Sequence, residues 1–239
     1  KPLPFAKNQK TETAIQYDFM MKLSRKEKIC MTESLSGELS IEQRKAIFDE
    51  NFSDINSRIS SAALRIGRKP DDILLLAATK SIDVQVINHA IKMGLSAIGE
   101  NRVQEFFSRE DYLNPLSQRH LIGHLQSNKA KDIVGKVCLI HSVLSLTLAK
   151  VIGELSLKKG MVTYILLEVN IGGEESKSGF SVDEILENLQ EISKISGIFV
   201  RGLMTIPPIC DDCEKNREYF KEMFNLFLDI RGKKIDNSS

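Results

Sequence analysis

What constrains this chain most is an alternation: short apolar runs, each closed by a polar or ionisable residue, separated by amphipathic stretches and recurring at roughly 20 to 30 residues. Ile73-Leu74-Leu75-Leu76-Ala77-Ala78-Thr79-Lys80 sets the pattern. Such a continuous apolar run, opened by Pro70-Asp71-Asp72, reads as a strand buried on both faces of a parallel sheet, with an amine at its carboxyl end. Further strands are expected at residues 96–99, 119–123, 137–141, 162–170 and 199–204. Helices are expected between and after them, near residues 84–93, 103–109, 127–134, 144–158, 182–194 and 212–230. A longer helix leads the series. Ser40-Ile41-Glu42-Gln43 has capping-box spacing, apolar residues from Ile47 to Ile66 recur at three and four, and Gly67 followed by Pro70 stops it.

Regular βα alternation means a parallel sheet with right-handed crossovers, either open and doubly wound or closed into a barrel. The polar residues separate these. Lys80, Asn101, His124, His141, Asn170 and Thr205 fall at or just past the carboxyl ends of successive strands. An open sheet gathers only the strand ends near its switch point around a ligand, whereas a barrel gathers all of them around one mouth. The fold expected is therefore an α/β, TIM-type barrel. Neither GxGxxG nor GxxxxGK[ST] follows a strand, which argues against a nucleotide site.

The 239 residues carry 33 Lys and Arg against 32 Asp and Glu, so no basic footprint points to nucleic acid or an anionic membrane. The most basic short stretch, Asn128-Lys129-Ala130-Lys131, reads as a solvated helix face. No apolar run approaches the roughly 18 residues of a membrane span. Scattered cysteines suit a reducing cytoplasm. Cys210-Asp211-Asp212-Cys213 has CxxC spacing, but no second pair stands near it for zinc, and the aspartates disfavour a thiolate. Residues 1–40 read as an extension, with Met31 a candidate natural start, and 41–239 as one barrel domain.

Five segments then carry a resemblance. Leu76-Ala77-Ala78-Thr79-Lys80, Gly99 through Glu105, Leu121 through Lys129, Asn170 through Phe180 and Arg201 through Pro207 occur in the order found in the pyridoxal phosphate homeostasis protein family, also called the proline synthase co-transcribed homologue family. The resemblance covers about residues 41–239. It implies a barrel of the alanine-racemase N-terminal-domain kind that holds pyridoxal 5′-phosphate as a Schiff base on Lys80. Asn101 and Met204 fall where the family lines the cofactor pocket, and His124 and Ser127 belong to the loop after the third strand. The implied role is buffering or delivery of the cofactor rather than catalysis, in a cytoplasmic monomer or weak dimer whose partners are the cofactor and the apo-enzymes that use it.

The chemistry agrees, since an amine attacks an aldehyde only when unprotonated, and burial at a barrel mouth would favour that form. Blander readings stand beside each residue: Asn101 as a helix N-cap, His124 and His141 as satisfied strand-end histidines, Met204 as core, and Lys177 as a solvated rival amine. A racemase or decarboxylase on the same barrel, or a cofactor-free Schiff-base aldolase, are the competing activities. The family pattern continues into seventh and eighth strands bearing the phosphate cradle, and only six of the eight strands are legible here. A C-terminally incomplete barrel with unpaired edges and a weakened hold on the phosphate is therefore expected.

Overall fold

A computed structural model describes residues 39–174, 178–208 and 213–233. The rival amine Lys177, Cys210 of the paired cysteines, residues 1–38 of the N-terminal extension and the segment 234–239 lie outside the described residues.

Six strands form the sheet: β1 (Leu76–Ala78), β2 (Ala97–Glu100), β3 (Gln118–Leu121), β4 (Leu139–Val143), β5 (Thr163–Glu168) and β6 (Ile198–Met204). Their order in the sheet is their order in the chain, and every neighbouring pair is parallel. A doubly wound sheet must reverse direction at a switch point. Here each crossover steps the same way, which is the winding of a barrel left open between β1 and β6.

The helices are α1 (Ile41–Arg65), α2 (Val84–Lys92), α3 (Val103–Arg109), α4 (Ala130–Ile133), α5 (Leu146–Lys158), α6 (Val182–Ile192) and α7 (Asn216–Gly232). Local chemistry sets their starts. Ser40 and Gln43 form the expected capping box of α1, Ser181 and Glu184 form another at α6, and the side chains of Asp83 and Ser145 cap α2 and α5. The helix expected over 127–134 is instead a 3-10 turn, Ser127–Lys129, followed by the single turn of α4; Gly135 at φ +84° follows directly.

Two apolar clusters hold these layers together. The larger one packs strands β3 to β6 against α3 to α7 through residues such as Phe106, Ile140, Ile152, Ile165, Ile185 and Phe227. The smaller one, around Ile87, Ala90, Ile91, Leu95, Ile98 and Leu113, joins β1 and β2 to α1 and α2.

Two expectations need correction. The run ending in Lys80 is not buried on both faces: β1 is three residues long, and Ile73 and Leu74 are 36% and 43% exposed. Among the described residues its only strand neighbour is β2, which leaves its other flank without a described strand beside it. His141 is not a strand-end residue either. β4 begins two residues later than expected and places His141 in its middle, 3% exposed.

Candidate functional site

Lys80 leaves the carboxyl end of β1 at a tight turn. The carbonyl of Thr79 accepts the amide of Ile82 at 3.1 Å, which makes Lys80 and Ser81 the central turn residues. Ser81 has φ 61°, the left-handed region that a type II turn demands at this position. Thr79 itself is anchored, since both its amide and its hydroxyl donate to the carbonyl of Gly99 on β2 at 3.1 and 3.2 Å. Lys80 is exposed. Its expected desolvation is therefore absent, for the reason that leaves β1 uncovered: no described strand flanks it on the outer side.

Register places Asn101 beside this turn. Ala78 pairs with Gly99, and Lys80 and Asn101 each lie two residues beyond that pair, Lys80 turning away at its turn. The N-cap of α3 is Arg102 rather than Asn101. The amide oxygen of Asn101 is buried and has no hydrogen-bond partner, which removes the helix-cap account of this residue. Gly123 makes this packing possible. A Cβ there would overlap the carbonyl of Asn101 and stand 2.7 Å from its Cα, so only glycine lets the loops after β2 and β3 come this close.

Between those loops lies a cavity of about 270 Å³, lined by Asn101, Arg102, Val103, Gln104, His124, Gln126 and Lys129. It contains no carboxylate and three basic side chains. Sequence reasoning placed Asn101 and His124 here but missed Arg102, Gln104, Gln126 and Lys129. Lys129 had been read as part of a solvated face; it is half-buried and turned to the cavity. The signal was present in Gly99 through Glu105 and Leu121 through Lys129, two of the segments that carry the resemblance. Ser127 is exposed at the start of the 3-10 turn and does not line the cavity.

Met204 ends β6, 4% exposed, in register with Glu168 on β5. Burial pushes the Glu168 carboxyl up to about 7. Thr205 is a structural link: its hydroxyl donates to the carbonyl of Val169 at 2.7 Å. Asn170 donates from its side-chain amide to the carbonyl of Glu174 at 2.8 Å and so braces its own loop. His141 meets His120 of β3 at 2.9 Å, Nε2 to Nδ1, and both rings are held neutral by burial, with values pushed down to about 3 and about 4. Of the six strand-end residues, His141, Asn170 and Thr205 have partners inside the fold and Lys80 and His124 are exposed, which leaves Asn101 with a buried, unpaired polar atom.

Beneath this opening, Glu100 points away from it toward α3 and is 0% exposed. Its carboxylate lies 3.7 Å from Arg109 and 4.0 Å from Arg119. Burial raises its pKa and the two guanidinium groups offset part of that rise. Arg119 is stacked over the ring of Phe106 at 3.5 Å.

Comparison with known proteins points the same way. The family described as alanine racemase, N-terminal domain, matches residues 60–238. A pyridoxal phosphate homeostasis protein of Aquifex aeolicus is 39% identical over 178 residues, covering 74% of this chain and 78% of that protein. Among solved structures, an unknown protein from Bifidobacterium adolescentis superposes with a TM-score of 0.77 at 32% identity, covering 85% of this chain and 86% of the other. PipY of Synechococcus elongatus PCC7942, solved with pyridoxal phosphate bound, superposes with a TM-score of 0.63 at 27% identity over 75% of this chain and 82% of its own.

Proposed function

The chain belongs to the pyridoxal phosphate homeostasis protein family, built on the alanine racemase N-terminal-domain fold, and from that premise we propose that it keeps pyridoxal 5′-phosphate covalently on Lys80 for buffering and delivery. The residues present fit the group. Lys80 is an accessible primary amine outside the lining of the cavity, Asn101 has a buried amide oxygen with no partner, and the cavity it helps line carries basic and amide side chains without an acid. The orphaned oxygen of Asn101 carries the reading, because a buried polar atom left unpaired costs free energy that a ligand donor would recover.

When bound, the cofactor supplies an aldehyde that condenses with a primary amine and releases water. The chain's own residues present the amine, orient the ligand from Asn101, and attract its anionic part through Arg102 and Lys129, with His124 beside them. Met204, buried at the end of β6, does not line this cavity, and its part in the site rests on the resemblance. The curated relative is named a homeostasis protein, which favours holding the reactive aldehyde over turning over a substrate. In the cell, recipients are apo-enzymes that lack the cofactor.

Reduction with borohydride followed by peptide mapping tests attachment and site together. A cofactor adduct is expected on the peptide containing Lys80, with its absorbance lost in Lys80→Ala. An adduct spread evenly over surface lysines would overturn the assignment. Release to an apo-enzyme faster than from free solution equilibrium would support delivery over storage.

A further inference from the structure

We propose that Arg109, on the outer helix α3, is a positioning residue for Lys80: it fixes the turn from which the lysine projects, and is itself fixed by the buried carboxylate of Glu100. The inference rests on reading Lys80 as the covalent amine. Its starting point is the carbonyl of Thr79, which accepts two hydrogen bonds, one from the amide of Ile82 at 3.1 Å and one from Nη1 of Arg109 at 2.9 Å. The first closes the turn around Lys80 and Ser81. The second reaches it from another element, 30 residues further along the chain.

The turn needs such a hold. Ser81 is the one non-glycine residue at positive φ among the described residues, and a side chain in that region persists only where its surroundings over-determine it. β1 supplies little of that restraint, being short and, among the described strands, paired on one side only. Arg109 supplies more. Its side chain is 14% exposed and its Nη1 stands 3.7 Å from an oxygen of Glu100. The carboxylate stands at ion-pair rather than hydrogen-bond distance from Arg109, so it acts on the guanidinium as a charge that draws it inward. Arg119 flanks the other oxygen at 4.0 Å and is immobilised on Phe106.

A carboxylate at 0% exposure is costly, and an apolar replacement would serve stability as well. Glu100 has a second consequence that stability alone does not require: it aims Arg109 at the strand bearing the amine. Glu100 and Asn101 are consecutive, so one segment presents a cavity residue on one side of the sheet and anchors the lysine's turn from the other.

The test compares the full-length wild type with Arg109→Gln. Each is incubated with limiting pyridoxal 5′-phosphate, reduced with borohydride at intervals, and mapped by mass spectrometry. Labelling at Lys80 is expected to slow about tenfold in the variant, because small displacements of a reacting group carry large rate effects. Labelling at the exposed Lys92 and Lys194 should not change, whereas a merely structural loss would move all sites together. Equal rates at Lys80 would overturn the proposal. A wild type that labels Lys80 no faster than Lys92 or Lys194 would instead overturn the covalent-amine reading, and the proposal with it. Should Arg109→Gln fail to fold, hydrogen exchange in the wild type decides: the amide of Ile82 is expected in the slow class of the α2 amides, and exchange at the rate of an open loop refutes the hold.

Discussion

Glu168 shows what a single residue contributes to the pH behaviour of the fold. It shares a register position with Met204, and burial alone pushes its carboxyl up to about 7 from the ordinary 4.5. The folded state therefore binds that proton more tightly than the unfolded chain does. The stability this provides is full below about pH 4.5 and is lost as the pH rises through about 7. Glutamine keeps the shape and removes the ionisation. Glu168→Gln is expected to unfold later than wild type in urea at pH 8, by up to about 3 kcal/mol, with the difference vanishing near pH 4. Parallel pH profiles for the two proteins would show that Glu168 is solvated in the native state.

At the scale of elements, β3 and β4 are cross-linked by an acid-sensitive pair. His120 and His141 are both 3% exposed, and burial depresses both, with each neutral ring tolerating the other only while uncharged. The unfolded chain takes up protons near the ordinary 6.5 while the folded protein does not, so stability is full above that value and falls as pH drops toward about 4. At pH 5 the loss is on the order of 2 kcal/mol for each ring. The double variant His120→Leu, His141→Leu should flatten this acid fall in chemical unfolding, since replacing both buried partners by apolar groups leaves neither unpaired. The pair was only half legible from sequence: the strand positions were, but a two-residue slip in β4 turned a mid-strand contact into a supposed mouth residue. Helix α3, by contrast, was read with its observed bounds, because Val103 and Phe106 set a clear buried face. The edge exposure of β1 was invisible in an apolar run, since an edge is a property of the neighbour and not of the strand. Glu100 was equally opaque. It reads as a loop residue beside Asn101, and its cationic partners lie on another helix and another strand.

For the whole molecule, the division into two apolar clusters places the amine on the less secure part. β1, β2, α1 and α2 share the small cluster, and α1 buries only Ala63 fully along its 25 residues. The large cluster spans four strands and most helices. Regions with fewer buried contacts open locally at lower free energy, so amides of α2 such as Ile87 and Ile91 are expected to exchange faster than those of Ile165 and Leu167 in β5. Lys80 belongs to the weak unit, while His124 and Lys129 extend from the strong one, with Asn101 between. A ligand bonded to Lys80 and seated against those side chains therefore bridges both, and any opening of the β1–α2 unit must first release it. Linkage then slows exchange in that unit by a factor of about 100 when free pyridoxal 5′-phosphate stands at roughly 100 times its dissociation constant. The β5 amides, which exchange through global unfolding, should slow only as far as overall stability rises. In Lys80→Ala the protection of α2 is expected to stay at its ligand-free level at the same cofactor concentration. Uniform slowing of both clusters in wild type would mean that the two open together, and that the amine does not sit on a separable unit.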